Sequence, residues 1–273
     1  MTRGITMTAG GETYFLNAYL NIRILRMKGC KMPVSWFYLG DEMRDDWIRA
    51  AEEIEGVKTF DLGGSGDHCK GRGGWQSKIE AVIRSPFDEV LLLDSDSFPV
   101  RDPAYLFDHC FYREVGAVLW PDIWHWQPDR LEFLNKKYGI SLEGTRQIES
   151  GQAMLDKTRC MAALEAVRKL NQDSQETYKV LYGDKDTFLV GFLQAKVPFR
   201  IVPTLPGCLY MGLFQHDFDG RKEFAHLTGG KFKWHGRAFI SEADLPGVVW
   251  ASKIAREMRS RGLHPSLAPR SKV

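Results

Sequence analysis

The chain has 273 residues, with 37 Lys and Arg against 35 Asp and Glu, a formal net charge of +2, and 44% hydrophobic residues. That balance excludes a nucleic-acid binder or a polybasic membrane-surface protein acting through global charge, and the length suffices for one large α/β core. No segment approaches the ~18 apolar residues of a membrane span, and MTRGITMTAGG lacks the apolar stretch of a signal peptide.

In chain order, Ile5 to Ala9 reads as a strand. Glu12 to Lys28 reads as a helix, with Phe15, Ala18, Tyr19, Ile22 and Leu25 at helical spacing. Val34 to Leu39 is a second strand, Arg44 to Glu55 a second helix and Val57 to Leu62 a third strand. Trp75 to Arg84 is a third helix and Glu89 to Leu93 a fourth strand. Three βα units followed by a strand imply a parallel sheet with helices on both faces, whose ligands sit at the carboxyl ends of the strands. The glycine-rich stretch Gly63 to Gly74 carries no GKS or GKT and reads as a loop or lid over a site rather than a phosphate cradle. Further on, Gly116 to Asp122, Gln147 to Leu155 and Phe199 to Pro203 read as strands. Thr158 to Leu170, Asp184 to Ala195 and part of Glu242 to Arg261 read as helices. One domain is expected over 1–262, with a disordered tail over 263–273. The five cysteines show no zinc spacing and read as reduced thiols.

The stretch VLLLDSDSFPV raises the chemical question. Asp94 and Asp96 stand one residue apart where the most apolar strand leaves the core. Two carboxylates held close repel unless a positive charge joins them, and Mn²⁺ or Mg²⁺ suits oxygen donors of this kind. In YGDKDTF, Asp184 and Asp186 open a helix, where Asp184 is either an N-cap or, like Asp186, a carboxylate near the reacting carbon. In ESGQ, Glu149 and Gln152 offer groups for hydroxyl recognition and Gly151 permits close approach, or the stretch is simply a bulge. HLTGGKFKWHG offers His226 as a metal ligand and Lys231 and Lys233 for a diphosphate, with His216 as a rival ligand. The rings of WPDIWHW suit either a sugar face or an aromatic core.

The run GWQSKIEAVIRSPFDEVLLLDSDSFPVRDPAYLF, with GAVLWPDIW, ESGQAMLDK and YGDKDTF, resembles the nucleotide-sugar-dependent glycosyltransferases of the GT-A fold. It is most similar to the fungal α-mannosyltransferases that elaborate mannan side chains, and more distantly to glycogenin-like retaining transferases. The resemblance covers about residues 4 to 240 and implies a mixed, mainly parallel α/β sheet flanked by helices in a single domain. It implies that Thr8, Ala9 and Gly10 lie against the nucleoside and that Lys78, Ser150, Gly151, Gln152 and Lys185 contact the donor. Asp94, Asp96 and His226 would hold Mn²⁺, with Asp94 also near the ribose and Lys231 on the phosphate. Asp184, Asp186 and Glu149 would serve catalysis.

The resulting expectation is a metal-dependent, retaining hexosyltransferase using GDP-mannose, or a UDP-hexose, with a glycan or other hydroxyl acceptor. A non-catalytic nucleotide-sugar-binding module is an alternative. So is a phosphatase of the haloacid-dehalogenase type, although Ser97 and Phe98 follow DSD and three βα-type strands precede it. The expected compartment is the cytoplasm if these residues are the whole protein, and the Golgi lumen if they are the catalytic part of a longer eukaryotic chain.

Overall fold

The computed structural model describes residues 1–63, 74–234 and 240–264. In chain order the elements are β1 (Arg3–Thr8), α1 (Gly11–Met27), β2 (Val34–Tyr38), α2 (Asp45–Glu52), β3 (Val57–Asp61), α3 (Ser77–Arg84), β4 (Glu89–Leu93) and β5 (Ser97–Pro99). There follow α4 (Cys110–Val115), β6 (Ala117–Pro121), α5 (Pro128–Tyr138), β7 (Ile148–Asp156), α6 (Lys157–Gln172), α7 (Ser174–Val180) and α8 (Lys185–Ala195). The chain continues through β8 (Arg200–Ile201), β9 (Gly207–Leu209), β10 (Gly212–His216), β11 (Lys222–His226) and α9 (Val248–Ser260).

β4 is buried along its whole length because it sits inside the sheet with a helical layer on each side. Leu91 and Leu93 join the core packed under α1, α2 and α9, whereas Val90 and Leu92 join the core under α3, α6 and α8. Such two-sided burial is why the strand reads as a continuous apolar run rather than an alternating one. Among the described residues the main sheet has the order β3-β2-β1-β4-β7-β6-β8. β1, β2, β3 and β4 run parallel, β7 pairs antiparallel with both β4 and β6, and β8 runs parallel to β6. One reversed strand in an otherwise parallel sheet has a direct consequence. The carboxyl ends of β1, β2, β4 and β6 and the amino end of β7 all open on the same edge.

A second sheet, β5-β11-β10-β9, is antiparallel and leans against that edge. It has no signature in the sequence, since β5 and β9 are three residues each and too short to show a period. α5 was also unexpected, although Pro128 starts it and Gly139 ends it in the left-handed conformation. Leu263 and His264, expected in the tail, are buried, and the Leu263 carbonyl accepts the Trp47 indole N–H at 2.8 Å. The tail from 265 and most of the glycine-rich stretch lie outside the described residues. Cys30, Cys110, Cys160 and Cys208 are free thiols. Among the described residues no helix is long and apolar enough to cross a membrane.

Candidate active site

A cleft of about 820 Å³ opens on the shared strand edge. It is lined by Thr8, Ala9 and Gly10 after β1, Phe37 to Leu39 at the end of β2, Asp94 to Asp96 after β4, Asp122 after β6, and Glu149 and Ser150 at the start of β7.

The Asp94-Ser95-Asp96 turn is held from three directions. Asp94 N donates to the Gly151 carbonyl at 2.8 Å, and Leu227 N donates to the Asp96 carbonyl at 2.8 Å. From below, Asn21 of α1 donates to the Ser97 carbonyl at 2.8 Å and the Ser95 carbonyl at 3.2 Å. One turn earlier Asn17 binds Phe232 twice, at 3.0 Å each, so α1 also secures the segment that carries Lys231. Both asparagines are fully buried. Their sequence signal is a polar pair at i and i+4 within an apolar helical face, absent from the motifs singled out above.

β5 and β11 pair antiparallel with Ser97 opposite His226, which brings the imidazole over the turn. His226 Nε2 lies 3.6 Å from Asp96 Oδ1 and 3.9 Å from Asp94 Oδ2. One ligand atom from each of Asp94, Asp96 and His226 falls within 4.8 Å of the others. Among the described residues no other cluster of that kind occurs, so the geometry favours His226 over His216. His216 lies on β10 outside the cleft lining, with its carbonyl accepting the Trp120 indole N–H.

Two lysines complete the cluster. Lys78 Nζ lies 2.9 Å from Asp94 Oδ2, 3.1 Å from Asp184 Oδ2 and 3.1 Å from Ser150 Oγ. Lys231 Nζ lies 2.6 Å from Asp96 Oδ2. Burial by itself would lower the Lys78 pKa, but the Asp184 and Asp94 carboxylates outweigh it and hold the ammonium above its usual range. Burial pushes Asp94 up to about 6, against the pull of Lys78. Burial acts on Asp96 in the same sense, yet His226 and Lys231 hold it well below the carboxylate range. His226 rises to about 9 because Asp96, Glu149 and Asp94 overcome its desolvation.

The donor set of two carboxylates and one imidazole fits Mn²⁺ or Mg²⁺. Along the described cleft lining, carboxylates outnumber lysines and arginines by seven to four, which leaves room for added positive charge. His226 Nδ1 is buried without a hydrogen-bond partner, and it lies 3.8 Å from Glu149 Oε1.

The remaining expected residues divide. Asp184 stands at the N-cap of α8 but makes no side-chain cap bond. Its Oδ2 instead accepts from Ser150 Oγ at 2.9 Å. Glu149 and Ser150 reach the cleft because β7 bulges there: Leu119 pairs with Ala153 and the next residue, Trp120, with Glu149. The bulge and the site are therefore one feature. Gly151 permits close approach, but of the His226 ring rather than a ligand, since a Cβ would stand 2.5 Å from Nδ1. Gln152 is a correction. It is fully buried behind the cleft, where β4 and β7 pair, and it accepts from Ser97 Oγ at 3.0 Å. Lys233 is exposed and outside the lining. Lys185 lines the cleft with its ammonium bound to Asp122 and 3.4 Å from Gln147 Oε1. Asp186 is buried with Oδ1 unpartnered, and burial pushes its carboxyl up to about 7. Asp122 was missed, although the strand-end logic that selected Asp94 applies equally to the end of β6.

Comparison with known proteins agrees with this architecture. A family described as "Mannosyltransferase putative" matches residues 2–147 and 141–217. Alpha-1,2-mannosyltransferase MNN2 of Candida albicans is 35% identical over 127 residues, covering 44% of this chain and 21% of that protein. Its Saccharomyces cerevisiae namesake is 27% identical over 287 residues, covering 84% of this chain and 46% of that protein. The chain thus spans less than half the length of these curated relatives. Among solved structures, the galactosyltransferase LgtC with donor and acceptor sugar analogues superposes with a TM-score of 0.60 at 13% identity, covering 94% of this chain and 99% of that one. The glycosyltransferase GlyE of Streptococcus pneumoniae gives 0.56 at 14% identity, covering 100% and 66%. These likenesses leave the phosphatase alternative without support. With a mainly parallel sheet, a DSD turn at its open edge and a family match across most of its length, the chain belongs to the mannosyltransferase family and has the GT-A glycosyltransferase fold.

Proposed function

We propose that the chain is the catalytic part of a metal-dependent, retaining glycosyltransferase that moves a hexose from a nucleotide sugar to a hydroxyl of a glycan. The observation that carries this reading is the meeting of Asp94, Asp96 and His226 between Lys78 and Lys231 at the mouth of the sheet. Mannose is the first choice of sugar, supported by the family and by the activity named in its relatives, and GDP-mannose is the first choice of donor, ahead of a UDP-hexose. An α-linked product from an α-linked donor is retention.

Asp94, Asp96 and His226 would hold Mn²⁺ or Mg²⁺, whose positive charge would stabilise the leaving diphosphate. Lys231 adds a cation beside that group, and Thr8 to Gly10 face the nucleoside. Lys78 holds Asp94 and Asp184 in fixed orientation, which limits reorganisation as charge develops. Asp184 and Glu149 present carboxylates toward the oxocarbenium-like sugar, with Asp186 close behind. The bond from the anomeric carbon to the phosphate oxygen breaks as the bond to the acceptor oxygen forms on the same face. The acceptor proton passes to the departing phosphate oxygen. Lys185 stands beside Asp184 with its ammonium committed to Asp122. That pairing leaves Lys185 a charged positioning group rather than a nucleophile.

The test is a thermal-shift screen of GDP- and UDP-sugars with and without Mn²⁺. A donor at ~100 times its dissociation constant adds about 2.7 kcal/mol of stability. The absence of a metal-dependent shift with any nucleotide sugar refutes the reading, as does full Mn²⁺-dependent turnover by Asp96→Ala.

A further inference from the structure

The cleft has a second end, on the far side of β4 from Thr8. Along the sheet edge the strands run β2, β1, β4, β7, β6, and three strand spacings of about 4.8 Å put the end of β6 roughly 14 Å from that of β1. There the chain displays apolar surface to water. Ile123 and Trp124 follow β6 and Tyr182 precedes α8. All three line the cleft, and Trp124 is 63% and Tyr182 74% exposed. Elsewhere in WPDIWHW the rings behave differently, since Trp120 and Trp126 are buried in the core. Only the stretch facing the cleft is turned outward.

These rings are anchored from below. The Lys185 ammonium lies 5.2 Å from the centre of the Tyr182 ring and is bound to Asp122, the residue before Ile123. One lysine thus ties the end of β6 to the start of α8 and sets both aromatic segments on one wall. Asp186 lies buried behind this wall, 1% exposed, so the rings and not its carboxylate meet a ligand. Exposed ring faces beside the exposed Arg130 of the same lining suit a ligand with flat C–H faces and hydroxyls, which is a pyranose ring. A nucleobase also stacks, but its place lies at the opposite end, beside Thr8 to Gly10, Phe37 and Tyr38.

We propose that Trp124 and Tyr182 form the acceptor subsite, stacking on the sugar that receives the transferred residue. The assignment rests on the transferase reading above and deepens it. It also makes the β6–α8 wall, rather than the metal cluster, the determinant of acceptor choice.

The experiment measures saccharide binding directly, by saturation-transfer NMR, with methyl glycosides of mannose, galactose and glucose on protein loaded with Mn²⁺ and GDP. At least one glycoside binds the wild type. Trp124→Ala and Tyr182→Ala each weaken it roughly three- to tenfold, as the loss of one stacked ring implies. Tyr182→Phe keeps the affinity, and the GDP-dependent thermal shift stays at the wild-type value in all three variants. The proposal is overturned if no glycoside binds the wild type, if neither alanine variant changes glycoside affinity, or if GDP binding falls in parallel with it. A wild type that binds glycosides but shows no metal-dependent shift with GDP or UDP refutes the donor reading and leaves the subsite standing.

Discussion

Gly151→Ala adds a single methyl group where strand β7 passes closest to the His226 ring. The added Cβ would lie 2.5 Å from Nδ1, 2.6 Å from Cε1 and 3.1 Å from Cγ. Ordinary contact begins near 3.4 Å, so the ring must retreat by about 0.9 Å. The backbone itself accepts alanine, because Gly151 is not among the residues of positive φ. The effect is therefore one of space. Overpacking of this kind costs about 1–3 kcal/mol, offset by about 0.4–1 kcal/mol from the lower entropy of the unfolded chain. At about 2–4 °C per kcal/mol the melting temperature falls by up to about 10 °C. The larger consequence is for the cation. Metal–ligand distances tolerate only about 0.2 Å, so on the proposed reading a retreat of ~0.9 Å would remove His226 from the three residues that hold the ion. Titration followed by the EPR signal of free Mn²⁺ is expected to show affinity at least tenfold weaker, in a protein that still unfolds cooperatively. Wild-type Mn²⁺ affinity in Gly151→Ala would refute His226 as a ligand.

Lys78→Met leaves Asp94 and Asp184 buried beside each other without their shared cation. The expected loss is about 3–5 kcal/mol, seen as a lower urea midpoint, and an unchanged midpoint would mean that water already screens the pair. Asn21→Ala strips the Ser95 and Ser97 carbonyls of their donor at a cost of about 1–3 kcal/mol, and Mn²⁺ affinity should drop with it. Retained affinity would show that the DSD turn holds without the clamp. Glu223 gives a pH dependence away from the cleft. Burial pushes this carboxyl up to about 7, while Tyr105 Oη at 2.7 Å and Arg101 oppose the rise. A folded pKa above the unfolded value of 4.5 stabilises fully below pH 4.5 and is lost as pH rises through 7. Melting temperature should therefore fall between pH 5 and 9, by up to about 3 kcal/mol in stability, and Glu223→Gln should flatten the slope. Equal slopes in the two proteins would remove Glu223 as its source.

The sequence was most legible where one element is a single run of like residues. β4 is recovered to the residue, because a strand buried on both faces has no alternation to misread. The two carboxylates beyond it were legible for the same reason, as charge at the limit of an apolar run. The reversed direction of β7 was not legible, since its burial pattern is nearly continuous in either direction. Gln152 was misplaced for a separate reason: polar type alone cannot tell a strand residue facing the cleft from one facing Ser97. Pairings between distant segments left no local trace. Nothing near His226 announces β5 as its partner, and nothing local to His226 or to its rival His216 shows which of them the ladder brings beside Asp96.

That ladder also sets an order of events. β5 follows Asp96 directly and β11 ends on His226, so their pairing closes a loop of about 130 residues, and the entropic cost of closure grows only slowly with such length. What delays it is topology, because contacts so far apart in sequence form late. The proposed cation site thus comes into being with a long-range pairing, not with the sheet whose edge it occupies. An ion that binds only the finished site will slow unfolding without hastening folding. Resistance to proteolysis that appears only with Mn²⁺ would then report on the closure of the whole chain, though the ion touches only a few of its residues.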